Sequence, residues 1–504
     1  MVLPPEEIKR REIAAVKRKL GPGVLSQIVE MPITQLVPYA NNARIHSEEQ
    51  LDIIGQSYLT FGWMNPPLVD ENNVIIAGHG RVEAAKKIGL EMIPVLRVGG
   101  LSPDQLRAYR LADNRIAEIA GWDSAILAIE LDYLTSVEIG CSIEALGWKP
   151  PEIDILFDTH RGDEKDDSSA DDVPALSDQP VSRVGDLWIC DGHRVLCGSA
   201  LDAAALARLM SDKQAQLVCQ DPPWNIAIKS IVNSGRTKHR EFVMASGEMS
   251  NGDFRQFLRD EIRSNAGHAV PGAVIQVFID WRGVEKVIAA GEAEGLELIN
   301  VLVWVKSNGG MTGGPWRSRH ELIVVFRKPG GKIKNRVELG KYGRNRTNVM
   351  EVAGLNSFGK GRMEALESHP TRKPVELIAE LIRDVTDMGD IVLDGFLGSG
   401  TCLIAAERTR RICHGLELDP AYVDTTVRRW QQFTGKEAVL EGDRKALPKS
   451  GLNERRSTAA FHQALHRCAC GPAPITPPLE RSCDEQLRSK TASSYSSTTR
   501  SAAS

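Results

Sequence analysis

The segment 390–422, DIVLDGFLGSGTCLIAAERTRRICHGLELDPAY, constrains what this chain can fold into more than any other. A β-branched run reaches Asp394, a turn holding Gly395, Gly398 and Gly400 follows, and TCLIAAERTR then reads as a helix. A second apolar run ends on Glu417. Glycines let the backbone approach a ligand closely and adopt positive φ. An acid at the tip of the next strand is placed to bind ribose hydroxyls. Three further short apolar runs, at 273–279, 299–305 and 321–327, are bounded by glycine or charged segments. Continuous apolar strands separated by amphipathic helices predict a mostly parallel sheet covered on both faces.

Three ligands compete for such a turn. A P-loop would need a lysine and a Ser/Thr where Thr401 and Cys402 stand, so triphosphate binding is disfavoured. A dinucleotide fingerprint would need a third Gly or Ala where Leu403 stands, which weakens NAD or FAD. S-adenosylmethionine has ribose hydroxyls and no phosphate, and needs neither feature.

A second motif, VCQDPPWNIAI at 218–228, puts Asp221, Pro222, Pro223 and Trp224 just past another apolar run. Alone it is an ordinary strand-to-loop turn, and HPTRKPVEL at 369–377 is an ordinary helix start with Pro374 at an early position. Taken together and in this order, the three segments resemble the β class of amino-group DNA methyltransferases, in which the catalytic motif precedes the cofactor motif. The intervening WVKSNGGMTGGPWRSRHELIVVFRK (304–328) is also similar to that family, and the likeness covers roughly 181–443.

The chemistry accounts for these residues. An exocyclic amine on a nucleobase is a poor nucleophile because its lone pair is delocalised into the ring. Asp221 would accept one N–H and a main-chain carbonyl beside Pro222 the other, with the prolines fixing that carbonyl. Acceptors that strengthen as the nitrogen becomes positive favour the transition state over the ground state. Trp224 would stack an extruded base, since the amine is inaccessible inside a duplex.

The resemblance further implies that S-adenosylmethionine is the cofactor. Asp394, Phe396, Gly398, Ser399 and Gly400 would contact its methionine part and Glu417 its ribose. The loop carrying His369, Thr371, Lys373 and Pro374 would close over it. Asp at the first motif position resembles adenine-N6 enzymes more than cytosine-N4 enzymes, so adenine is favoured and cytosine-N4 is the alternative. DNA contacts are expected from Lys306, Arg317 and Arg319, and from Arg344 and Arg346 in the basic stretch 327–346.

Upstream, residues 37–98 resemble the ParB/sulfiredoxin-like superfamily through NNARIHSEEQ, NPPLVDENNVIIAGHGR and VEAAKKIG. Its phosphate-binding Gly-Glu-Arg-Arg loop reads Gly78-His79-Gly80-Arg81 here, so the Glu is absent. Gly78, Gly80 and Arg81 before a helix could still hold a phosphate.

The expected architecture is therefore a ParB-like α+β domain at 25–155, an acidic linker at 156–180 and a Rossmann-like α/β methyltransferase domain with permuted motif order at 181–443. A Ser/Thr/Arg-rich tail from 444 to 504 should be largely disordered. A net charge of −4 means that any DNA-binding surface is local. The nine cysteines are scattered and mostly apolar in context, as in a cytoplasmic chain without a disulfide framework. Cys468 and Cys470 with His462 and His466 match no usual zinc spacing, so no metal is expected. No membrane span is expected, and a homodimer would fit the resemblance. The rival reading is a partition-type DNA-binding protein whose C-terminal half only senses the cofactor.

Overall fold

A computed structural model describes residues 28–137, 141, 143–161, 170–177, 179–226, 245–307, 316–341, 345–352, 373–442 and 447. His369, Thr371 and Arg344, residues 162–169 and 178 of the linker, the Cys/His group and the tail from 448 lie outside the described residues.

The N-terminal part is α+β. Strands β1 (Ile28–Pro32), β2 (Leu68–Val69), β3 (Ile75–Ala77) and β4 (Met92–Arg97) form a sheet ordered β1-β4-β2-β3. Helix α1 (Glu48–Phe61) begins at Ser47, whose side chain accepts from the Gln50 N–H, and has Glu48 and Glu49 in its first turn. Helix α2 (His79–Lys87) follows β3 through Gly78. Met31, Val69, Ile75, Val82, Ile93 and Val95 make the local core. Helices α3 (Pro103–Ile119), α4 (Ser124–Ser136) and α5 (Pro150–Arg161) come next, and α5 runs across the boundary expected at 155. Ser102 and Gln105 close a reciprocal capping box on α3.

The C-terminal part is a ten-stranded sheet. Its strands are β5 (Leu187–Cys190), β6 (His193–Cys197), β7 (Ala215–Gln220), β8 (Ala269–Ile279), β9 (Glu297–Val305), β10 (His320–Arg327), β11 (Val349–Glu351), β12 (Ile391–Asp394), β13 (Ile412–Glu417) and β14 (Val439–Leu440). The order is β11-β9-β10-β8-β7-β12-β13-β6-β5-β14. The five central strands, β8 to β6, are mutually parallel. Antiparallel pairs flank them, so the sheet is mixed where the sequence predicts a mostly parallel one. Helices α6 (Ala203–Met210), α7 (Asn251–Gly267), α8 (Val284–Ala293), α9 (Val375–Val385), α10 (Thr401–Arg408) and α11 (Pro420–Thr434) supply two cores. One gathers Leu217, Val392, Leu403 and Trp430, the other Val218, Ile262, Ile275 and Leu393. Successive residues of β7 and β12 thus feed different cores, as strands buried on both faces require.

Sheet topology places the site. From β7 the chain builds outward to β8, and from β12 it builds the opposite way to β13. The crevice between the carboxyl ends of β7 and β12 is therefore the point where strand order reverses, the position at which open α/β sheets bind ligands. Asp221 follows the last residue of β7 and Asp394 is the last of β12. Two motifs far apart in sequence end on neighbouring strands, with Leu393 paired to Val218.

Candidate active site

Gly400 initiates α10 with φ +82°, and a Cβ there would meet Thr426 Cγ2 at 2.7 Å. Gly398 is also left-handed, at φ 54°. Its N–H donates to Glu417 Oε2 at 2.8 Å, and its carbonyl accepts from Thr426 Oγ1 at 2.8 Å. The Phe396 N–H donates to Asp394 Oδ1 at 2.9 Å, and buried Arg429 fixes the Ser399 carbonyl from below at 2.9 Å. The turn is thus tied at both ends before any ligand arrives.

Burial pushes Asp394 up to about 7; the Phe396 N–H opposes the rise, and the Asp221 and Glu417 charges add to it. Glu417 is also pushed up to about 7 by burial, against the N–H donors of Asp419 and Gly398. The turn itself carries no cation, and two acids face it. That polarity repels a phosphate and fits a phosphate-free nucleoside bearing positive charge.

On the catalytic side, Lys373 bridges two carboxylates. Its ammonium donates to Asp221 Oδ2 at 2.5 Å and lies 3.4 Å from Glu321. Lys306 makes a second short bond to Glu321. Lys373 also sits over the Trp224 ring at 5.3 Å and the Phe278 ring at 5.2 Å, with its side chain only 5% exposed. Burial opposes its charge, but Asp221 and Glu321 outweigh that and raise the ammonium above its usual range. Burial raises Asp221 and Lys373 pulls it back, while Glu321 is lowered because the two lysines overcome its burial. Asp221 Oδ1 is buried with no hydrogen-bond partner among the described residues, and so is Trp224 Nε1. An orphaned carboxylate oxygen is costly in a folded protein and calls for an absent donor.

Lys373 and Lys306 therefore stand where the sequence reading did not put them. Lys373, expected over the cofactor, holds Asp221; Lys306, expected on DNA, holds Glu321. Arg346 is likewise engaged, bonded to Glu380 and lying 3.1 Å from Asp384 on α9. In the same basic stretch Arg327, Lys334, Arg336 and Lys341 all have acidic partners. Arg317 and Arg319 are exposed. Pro222 and Pro223 lie between Asp221 and Trp224 as the motif requires, and Pro374 precedes the first turn of α9. Glu321 escaped the sequence reading; an acid opening the apolar run ELIVVFR was the available signal.

In the N-terminal part Gly78 adopts φ +93°, and Arg81 Nη1 comes within 3.4 Å of where its Cβ would be. Gly80 has no room for a side chain, because a Cβ would meet the His46 ring at 2.7 Å. His79 Nε2 accepts the Tyr39 N–H at 3.3 Å. Burial, then Arg110 and His46, lower the imidazole, keeping it neutral.

A family model described as DNA methylase matches residues 215–428, and one described as ParB-methyltransferase HTH domain matches 125–184. A stretch of 79 residues is 48% identical to the ParB-like nuclease domain-containing protein YnaK of Escherichia coli K12, covering 16% of this chain and 91% of that protein. The type II methyltransferase M.HpaI of Haemophilus parainfluenzae is 23% identical over 264 residues, 49% of this chain and 78% of that protein. Among solved structures, the M1.HpyAVI–SAM complex matches at 21% identity and TM-score 0.35, covering 47% of this chain and 97% of that one. The cytosine-N4-specific PvuII DNA methyltransferase matches at 17% and 0.35, covering 51% and 90%. Residues 215–428 form a DNA methylase domain of the N6/N4 family, and the chain carries a ParB-like domain besides. Among the described residues no helix is long and apolar enough to cross a membrane.

Proposed function

We propose that the chain methylates the exocyclic N6 of adenine in DNA. The observation that carries this reading is the asymmetric Asp221 carboxylate: Lys373 holds Oδ2, while Oδ1 is buried without a partner. Bound S-adenosylmethionine supplies an electrophilic methyl on a sulfonium that departs as a neutral thioether. Asp221 Oδ1 accepts an N–H of the amine, the main-chain carbonyl beside Pro222 accepts the other, and the nitrogen lone pair is freed for the new N–C bond. As the nitrogen becomes positive the hydrogen bond to Oδ1 strengthens, and the nitrogen sheds one proton towards it. Trp224 offers the stacking face for the extruded base. Asp at the first motif position favours adenine over cytosine. Arg317 and Arg319 contact the DNA strand, and Gly78, Gly80 and Arg81 hold a phosphate of nucleotide or DNA.

Methyl transfer from labelled S-adenosylmethionine to unmethylated bacterial DNA, followed by nucleoside analysis, tests the reading. N6-methyladenine is expected. N4-methylcytosine would correct the base, and unlabelled DNA despite cofactor binding would leave only a sensor.

Cofactor affinity should also depend on pH. Asp394 and Glu417, each at about 7 in the free protein, serve the cationic nucleoside when ionised. Below pH 7 binding must first remove their protons, so affinity falls with pH, by at most about ten-fold per pH unit for each group. Calorimetry from pH 6 to 8 should show tighter binding at the higher pH with proton release. A pH-independent Kd would refute the placement of these acids around the ligand.

A further inference from the structure

Strand β8 is buried through Ile279 and Asp280, yet the next residue, Trp281, is 63% exposed. The turn that presents this indole is built. Asp280, itself buried, accepts from the Arg282 N–H at 2.9 Å, the Gly283 N–H at 3.2 Å and Arg282 Nε at 2.6 Å. Gly283 packs so tightly that a Cβ would meet Ile279 at 2.6 Å. The Arg282 guanidinium lies 5.6 Å from the centre of the indole ring. An exposed indole with a guanidinium over it offers an aromatic face on which a planar partner can stack.

Sheet register places Trp281 beside the site. Strands β7 and β8 are parallel, with Gln220 paired to Val277, so Phe278 stands level with Asp221. Trp281 is three residues further along, at most about 10 Å beyond that level at a strand rise of about 3.3 Å per residue. Across the sheet, β10 pairs Leu322 with Ile279, which brings its preceding residues to the same edge. Those residues include Trp316, 88% exposed, and the exposed Arg317 and Arg319. Neither arginine has an acidic partner among the described residues, in contrast to Arg327, Arg336 and Arg346. Exposed rings interleaved with free arginines at the mouth of a site match a polyanion with stackable faces.

We propose that Trp281 enters the base stack of the DNA next to the extruded target, holding the duplex open while Arg317 and Arg319 grip the adjoining phosphates. This rests on the methyltransferase reading above. Asp221 and Trp224 receive the extruded base, and Trp281 occupies the space it leaves. Closing that gap replaces base stacking lost on extrusion.

The test uses the full chain and duplexes carrying the target site, mapped by sequencing DNA that the wild-type protein has methylated. In one duplex the target base is paired; in the other it lies opposite an abasic position and needs little opening. Trp281→Ala should lower kcat/KM on the paired duplex by about ten-fold or more, and Trp281→Phe should regain most of it. On the abasic duplex Trp281→Ala should approach the wild type, with cofactor affinity unchanged. Equal loss on both duplexes, or no loss on either, overturns the proposal. A change in sedimentation instead of activity would assign the indole to contact with a second copy and also overturn it. Failure of the methyltransferase reading is distinct, since the wild-type protein would then label neither duplex.

Discussion

Replacing Asp221 with Asn should abolish methyl transfer as fully as replacing it with Ala, although Asn differs from Asp only by an NH2 in place of one oxygen. The reason lies in Lys373. Its buried ammonium donates to Oδ2 and needs an acceptor there. An amide introduced by Asp221→Asn must turn its carbonyl towards Lys373, because its NH2 would face three donors of like polarity. The NH2 then occupies the place of Oδ1 and presents a donor to the amine, which is itself a donor. The polarity needed for transfer is inverted rather than weakened. Loss of one such positioned partner costs about 10²–10³ in kcat, and an opposed dipole should reach the upper end of that range or beyond. Cofactor binding should survive, because the turn at 396–400 and Glu417 hold each other independently of Asp221. Single-turnover transfer and cofactor titration on the same preparation check both halves. Asp221→Asn turnover within ten-fold of wild type would remove the proposed role of Oδ1.

The same pair shows where the sequence stops being legible. Asp221 and Asp394 could be read locally, because each ends an apolar run and opens a motif whose residue types have few other uses. Their adjacency could not be read that way, since the pairing of β12 beside β7 is a long-range choice that no local pattern encodes. The role of Lys373 was hidden for the same reason: its partners, Asp221 and Glu321, come from the end of β7 and the start of β10. Charge was the least transferable signal. The basic stretch 327–346 looks like a DNA contact in sequence, but α9 carries Glu380 and Asp384 at helical spacing and takes up Arg346, while Asp387 and Asp390 take up Lys334. Acids distant in sequence neutralise a locally basic run. Arg317 and Arg319, by contrast, are exposed and have no acidic partner among the described residues.

The acidic 160–180 region illustrates a related limit, and Asp154 gives it a measurable form. Low hydrophobicity reads as a linker, yet individual acids around it are buried partners of the methylase core. Asp154 on α5 makes a two-pronged pair with Arg411, at 2.7 and 3.0 Å, with side-chain exposures of 4% and 0%. Thr386 and the Thr409 carbonyl take the remaining guanidinium donors, so all five N–H groups of Arg411 are satisfied. Asp154→Ala removes two of those acceptors and strands a buried cation, which should destabilise the fold by about 3–5 kcal/mol. Replacing both partners by apolar residues, Asp154→Leu with Arg411→Met, should cost much less, because no charge is left behind. Urea unfolding of the single and double variants checks this, and a single-variant loss below about 1 kcal/mol would contradict it. The consequence reaches the active site. Beyond α5, Asp171 accepts the Val375 N–H at 3.1 Å at the start of α9, two residues after Lys373. The Ala170 carbonyl is held by Arg429, which also holds Ser399 in the cofactor turn. Loosening α5 therefore slackens the segment that positions both the lysine on Asp221 and the turn beneath the cofactor. The Asp154→Ala variant should accordingly lose methyl transfer at temperatures where it is still mostly folded, and the double variant should retain it.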